Sequence, residues 1–276
     1  MITAITLLIL AGLVGGFLSG LIGIGGGTIY IFFLPILLRQ IGVAEADLSQ
    51  YTIANSLFAI VFASLSANIA NHKIGNFYWK EVIRISIPCA ITAVLMTYFV
   101  VHSQFFSLLI FNSIVLILFS YMFIQILYSS RKEHEGPLPH IPIYKLAGTG
   151  IISGALSALS GLGGGIVTVP ILNGFCHVDI RKASSISLGV IMPTAILSGI
   201  VNLTAQPVHP VDWYSSGYII FPVVLILSAG VIFTSPLGVK AAQKIPGKYI
   251  SYIYAAFLLL VIVIKAYELI SKWPIS

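Results

Sequence analysis

Ser19-Gly20-Leu21-Ile22-Gly23-Ile24-Gly25-Gly26-Gly27-Thr28 recurs 138 positions later as Ser157-Ala158-Leu159-Ser160-Gly161-Leu162-Gly163-Gly164-Gly165-Ile166. Each copy sits inside a long uncharged stretch, residues 1–38 and 146–178, and each is followed by Pro-Ile-Leu, at Pro35 and Pro170. As straight helices those stretches would be roughly 57 Å and 50 Å long at 1.5 Å per residue. A bilayer's hydrocarbon core is only about 30 Å thick. Both stretches must bend, and each carries its own breaker. Glycine costs a helix interior roughly 1 kcal/mol relative to alanine, so three in succession predict openings at Gly25–Gly27 and Gly163–Gly165, with short helices following over about 28–38 and 166–176.

That the surroundings are lipid follows from composition. Of 276 residues 58% are hydrophobic and 8% charged, against about 25% charged in a soluble domain. Apolar runs lie near 1–38, 49–71, 85–101, 105–128, 146–178, 183–204, 214–235 and 249–267. The chain therefore reads as an all-α polytopic membrane protein. Before Arg39 there is no Lys or Arg, so the first segment lacks the basic start of a signal peptide and is expected to remain in the fold. A polar linker with Arg131-Lys132-Glu133-His134-Glu135-Gly136-Pro137 divides the chain into a first repeat (1–130), the linker (131–142) and a second repeat (143–276). Ser56-Leu57 matching Ser187-Leu188, and Trp79 matching Trp213, extend the duplication beyond the glycines. Duplicated membrane units are the usual architecture of secondary transporters.

Basic residues choose between two topologies. If each broken stretch crosses once, Lys and Arg divide 6 to 8 between the two sides. If each turns back as a re-entrant hairpin, one side takes Lys73, Lys80, Arg84, Arg131, Lys132, Lys145, Arg181, Lys182, Lys240, Lys244 and Lys248, leaving Arg39, Lys265 and Lys272. Eleven to three is the division the positive-inside rule expects. Each repeat is then a Gly-rich hairpin plus three transmembrane helices, the second inverted relative to the first. The linker is cytoplasmic, both termini are extracytoplasmic, and the hairpin tips meet near the midplane.

Open backbone at membrane depth lines a cavity or is buried by protein. Here it precedes helix starts, whose free N–H groups and positive dipole end attract anions. The acids Glu45, Asp47, Glu81, Glu133, Glu135, Asp179, Asp212 and Glu268 all fall in loops or near span ends, which argues against a cation carrier. The candidate anion site comprises Gly25, Gly26, Gly27 and Thr28 with Gly163, Gly164 and Gly165, completed by Ser19, Asn55, Ser56, Ser157, Ser160, Thr168, Ser185 and Ser187. For each hydroxyl taken singly, a bond to its own or a neighbouring helix is the competing assignment, and Gly16 with Gly20 reads as packing. No His or Cys spacing suits a metal; Cys89 and Cys176 read as buried thiols. No cofactor, metal or nucleic-acid partner is expected. Ser19-Gly20 and Ser160-Gly161 hint at an intramembrane serine hydrolase, but no histidine is placed to act as base, so the chain is not read as an enzyme.

At the doubled glycine motif the chain resembles the TauE/SafE family of sulfite and organosulfonate exporters. The resemblance rests on Gly23–Gly27 with Pro35 and Gly161–Gly165 with Pro170. Gly75-Asn76-Phe77-Tyr78-Trp79, Val211-Asp212-Trp213, Gly238-Val239-Lys240 and Lys244-Ile245-Pro246 support it. It departs in spacing, Gly27 to Pro35 being three residues longer than Gly165 to Pro170. The resemblance implies an inner-membrane permease exporting a small sulfur-containing anion; an anion channel, or a permease for an unrelated organic anion, are the alternatives. Expected partners are that anion and the lipid bilayer, with room for a homodimer.

Overall fold

The computed structural model describes residues 2–102, 108–129 and 136–271. They form ten α-helices in two matching sets of five. The first set is α1 (Ile2–Ile22), α2 (Gly27–Gln40), α3 (Leu48–Lys73), α4 (Trp79–His102) and α5 (Leu108–Ser129). The second is α6 (Ile143–Ser160), α7 (Gly165–Pro170), α8 (Ile180–Thr204), α9 (Phe221–Lys244) and α10 (Gly247–Ser271). A π-helical turn, Ile171–Phe175, prolongs α7. Five helices (α1, α3, α4, α8 and α9) are long and apolar enough to cross a bilayer by length and composition. The chain is an all-α polytopic membrane protein. Arg131, Lys132, Glu133, His134, Glu135 and Lys272 lie outside the described residues.

Both uncharged stretches turn back on themselves. Ser153 Oγ on α6 and Thr168 Oγ1 on α7 are 2.7 Å apart, whereas fifteen residues of continuous helix would separate them by roughly 22 Å. In the first hairpin the Tyr30 ring of α2 packs on Gly15 of α1, where a Cβ would lie 2.7 Å from Tyr30 Cε1. The openings fall at residues 23–26 and 161–164, beginning two residues before the triple glycines. Gly23, Gly25 and Gly26 have φ of 77°, 76° and 78°; Gly161, Gly163 and Gly164 have 70°, 73° and 75°. The left-handed backbone, which only glycine adopts without strain, sets the break. Gly27 and Gly165 are instead the first residues of regular helices. The spacing difference resolves downstream. α2 continues through Pro35 to Gln40, whereas α7 stops at Pro170 and passes into the π turn. Gln125 Nε2 of α5 donates to the Pro170 carbonyl at 2.9 Å.

The two sets interlock. α1 runs alongside α9, with Gly12 on the Leu227 carbonyl, Gly16 on Val231 and Gly20 on the Ser235 carbonyl. α6 runs alongside α4, with Gly150 on the Ile85 carbonyl and Gly154 on that of Cys89. In lipid, where apolar burial drives little association, such close backbone approach is a main source of helix packing. Gly16 and Gly20 are thus packing residues, as expected. The corresponding helices α3 and α8 cross antiparallel: Asn68 Nδ2 donates to the Leu188 carbonyl at 3.0 Å, and toward the other ends Gly199 meets the Phe58 ring. Equivalent helices running in opposite directions make the second set inverted relative to the first.

One expected span is displaced. The run 214–235 begins in a loop with a two-residue hairpin, β1 (Ser215–Ser216) and β2 (Ile219–Ile220), turning at Gly217 with φ of 56°. α9 starts after it, with Pro222 in its first turn, and runs to Lys244. Basic residues gather at one end of the bundle. Lys182 of α8 bonds the Gly136 carbonyl before α6, Ser185 of α8 bonds the Asn76 carbonyl between α3 and α4, and Gly247 of α10 packs on Ile180. Lys73, Lys80, Arg84, Lys145, Arg181, Lys182, Lys244 and Lys248 therefore share that end.

Candidate functional site

The glycine tips overlap at mid-height of the bundle. Ile60 is the middle of α3 and Ile191 the middle of α8. Gly25 and Gly163 both lie between these two side chains: a Cβ on Gly25 would be 3.0 Å from Ile60 and 3.4 Å from Ile191, and one on Gly163 3.2 Å from each. The tips also touch directly. A Cβ on Gly27 would stand 3.0 Å from Leu162 Cα, and one on Gly165 2.6 Å from the Gly23 carbonyl oxygen.

A crossed pair of hydrogen bonds fastens each tip to the other repeat. Ser187 Oγ donates to the Gly23 carbonyl at 2.8 Å, and Ser56 Oγ donates to the Gly161 carbonyl at 2.7 Å. The residues at the tips are all buried, yet their amides are unused. At the first tip the backbone bonds are from Gly23 N–H to Ser19, and from Ile29 and Tyr30 N–H to Gly26. The N–H groups of residues 24–26 make no hydrogen bond with the described protein, nor do those of 162–164 at the second tip, and the turns at 25–26 and 163–164 lead directly into the helix starts. Buried amides are almost always paired. A concave run of successive N–H groups around left-handed residues is a recognised anion cradle, and here it opens helix starts, where the dipole adds positive potential.

The polar candidates fall into three groups. Ser19, Thr28 and Ser157 are fully buried with unpartnered hydroxyls; Ser19 and Ser157 are counterparts, one turn before their tips. Ser56 and Ser187 are engaged in fastening the tips. The others are used elsewhere. Ser160 Oγ donates to the Leu156 carbonyl of its own helix at 2.5 Å, and Thr168 pairs with Ser153. Asn55 holds the β1–β2 loop, donating to the Tyr218 carbonyl at 2.9 Å and accepting from Ile220 N–H at 2.9 Å. Ser185 bonds the Asn76 carbonyl in the α3–α4 loop. Asn55 and Ser185 thus anchor loops and lie off the tips.

Four residues were missed from sequence. Ile60 and Ile191 follow the fastening serines by four positions, so the repeat alignment carried a signal for them. Tyr30 is fully buried with an unpartnered hydroxyl, and Ser153 is paired with Thr168. Tyr30 and Gly15 of the first hairpin replace Thr168 and Ser153 of the second, a large-for-small exchange that fills the same space. No Asp, Glu, Lys, Arg or His lies in the tip segments 19–30 and 157–168. Asp47 is buried far from them, at the start of α3, accepting from His209 N–H at 2.8 Å. No cluster of three or more His, Cys, Asp or Glu suited to a metal occurs among the described residues.

A sequence profile of the sulfite exporter TauE/SafE family matches residues 8–264, which spans both tips. The chain belongs to the TauE/SafE family. A protein of Haemophilus influenzae named "probable membrane transporter protein" is 32% identical over 266 residues, covering 95% of this chain and 97% of that one. A "probable membrane transporter protein" of Methanocaldococcus jannaschii is 30% identical over 255 residues, covering 91% of each chain. One of Bacillus subtilis with the same description is 25% identical over 270 residues, covering 92% and 94%. Family and relatives together support membrane transport as the activity of this TauE/SafE chain.

Proposed function

We propose that this TauE/SafE chain is a secondary transporter of a small sulfur-containing oxyanion, sulfite or an organosulfonate, exported across the inner membrane by alternating access. The observation that carries the anion is the pair of tips, with unpaired buried amides at 24–26 and 162–164 and no ionised side chain in the tip segments. Amides and hydroxyls stabilise an anion by donating hydrogen bonds, without the cost of burying a counter-charge. An acid at that depth, which a cation would require, is missing from the tip segments. The sulfur comes from the family description alone.

In the described conformation the tips close on each other. Opening toward either side separates one tip from the other repeat, breaking one of the two crossed serine bonds while the other holds. That is the rocking expected of inverted repeats about a central site. The basic end, with the linker, is placed in the cytoplasm by the positive-inside rule, leaving both termini outside. A negative cell interior then drives the anion outward. The anion and the lipid bilayer are the partners on this reading.

The test is flux of labelled sulfite, sulfoacetate and thiosulfate in proteoliposomes. Native protein is compared with Ser19→Ala/Ser157→Ala, which leaves the backbone undisturbed, and with Gly26→Val and Gly164→Val, which do not fit φ near 75°. Loss of saturable uptake in the double serine variant, with the fold intact, supports the site. Native uptake in all of these variants refutes it. Large single-channel currents in place of saturable exchange replace the carrier with a channel.

A further inference from the structure

A cavity lies away from the tips, on the outer flank between α3 and α4 and floored by α8. Its volume is about 560 Å³, and Leu65, Ile69, Val82, Ile83, Ile87 and Met192 give it an apolar lining. The flanking side chains face outward: Ile69 is 50% exposed, Ile83 51% and Ile87 59%. An apolar cleft open to the side of a membrane-spanning bundle faces acyl chains. From Lys73 to Leu65 the cleft runs eight residues down α3, a depth of about 12 Å.

Its mouth is chemically different from its depth. His72 and Lys73 line it at the end of α3, and Trp79 stands at the start of α4. Trp79 packs edge-on to Phe77, with ring centroids 4.6 Å apart, and to His72 at 6.4 Å. Tryptophan at this position is typical of the headgroup level. Lys73 lines the mouth itself, and Lys80, exposed, follows Trp79 in the first turn of α4. Neither lysine has an ion-pair partner among the described residues. Inside the cleft Ser86 is buried and its hydroxyl has no partner.

We propose that this cleft is a binding site for an anionic phospholipid. One acyl chain lies between Ile69, Ile83 and Ile87, and the phosphate is held at the rim by Lys73 and Lys80. The basic rim selects the headgroup; the apolar depth holds the tail of any phospholipid. The site shares no residue with the glycine tips, so it stands or falls independently of the transport reading.

Native mass spectrometry of the full chain in detergent, titrated with phosphatidylglycerol or phosphatidylcholine, tests it, with the thermal midpoint as a second readout. Phosphatidylglycerol is expected to bind more tightly and to raise the midpoint further. A basic residue near an anionic lipid surface contributes about 1 kcal/mol, so Lys73→Ala and Lys80→Ala each weaken phosphatidylglycerol binding roughly 5-fold and leave phosphatidylcholine unchanged. Ile87→Trp, at an exposed position beside the cleft, reduces binding of both lipids. Equal affinity for the two headgroups in native protein, or undiminished phosphatidylglycerol binding in Lys73→Ala/Lys80→Ala, overturns the proposal.

Discussion

Gly165→Ala is the sharpest probe of how the tips fit. Gly165 is the first residue of α7 in a right-handed helical conformation, so alanine suits its backbone and gains roughly 1 kcal/mol of helix propensity. Its Cβ would lie 2.5 Å from Ile191 Cδ1, 2.6 Å from the Gly23 carbonyl oxygen and 2.9 Å from Ser187 Oγ. Overpacking of this kind costs about 1–3 kcal/mol. After the propensity gain, a net loss of up to about 2 kcal/mol is expected, so Gly165→Ala should lie about 1–3 kcal/mol below the control that follows. At about 2–4 °C per kcal/mol, the thermal midpoint should fall by a few degrees. Gly148→Ala is the control: it is helical with nothing within 4 Å of a Cβ, so it should gain up to about 1 kcal/mol. Second-site changes separate side-chain from backbone clashes. Gly27→Ala meets Ile60 Cδ1 at 2.6 Å, but no backbone atom closer than 3.0 Å, so Ile60→Val should restore most of its stability. Ile191→Val should restore Gly165→Ala only in part, because the Gly23 carbonyl remains. The assay is thermal unfolding of purified protein in detergent, alongside proteoliposome flux. If Gly165→Ala matches Gly148→Ala in stability and transports as native protein does, the tips do not abut as described and the reasoning fails.

Ser56→Ala and Ser187→Ala each leave a buried carbonyl of the opposite tip without its donor, at about 1–3 kcal/mol. The two should cost similar amounts, and markedly unequal losses in unfolding experiments would argue against equivalent fastening. Asn55→Ala frees the β1–β2 loop and should raise its proteolysis near Gly217 without altering the substrate concentration for half-maximal flux. Tyr30→Phe removes a hydroxyl that bonds nothing in the protein, so the midpoint should hold or rise; a large drop would mean that the phenol has a partner. Burial pushes the Cys176 thiol up, with Lys145 offsetting part of the rise. Its thiolate fraction at neutral pH is therefore below that of a free cysteine, and maleimide labelling should be slow and should accelerate as pH rises through the alkaline range.

Much of the architecture was legible because it rests on local or additive properties. Uncharged stretches too long for one crossing forced a bend, and clustered glycine located it within two residues. The exact opening was missed because triple glycine marks flexibility, whereas the break is set by which peptides turn left-handed; Gly23 and Gly161 do so and Gly27 and Gly165 do not. The onset of α9 was misplaced because an apolar run does not reveal that Gly217 turns it into a hairpin first. Of the residues read as candidates, the structure gathers the glycines with the unpartnered hydroxyls of Ser19, Thr28 and Ser157 around the tips. Asn55 and Ser185 have the same composition signal but face loops, and nothing local distinguishes them.

Composition and repetition, read from the chain alone, determine that this protein lives in lipid, is built twice, and opens its backbone at two places, since hydropathy and glycine's backbone freedom act wherever those residues are. Tertiary structure decides that α3 and α8 cross antiparallel, that Ser56 and Ser187 reach the opposite tips, and that Ile60 and Ile191 stand between them. Those outcomes depend on the registration of helices more than a hundred residues apart, which is set by the close approach of glycine-lined backbones and by where each carbonyl finds a donor.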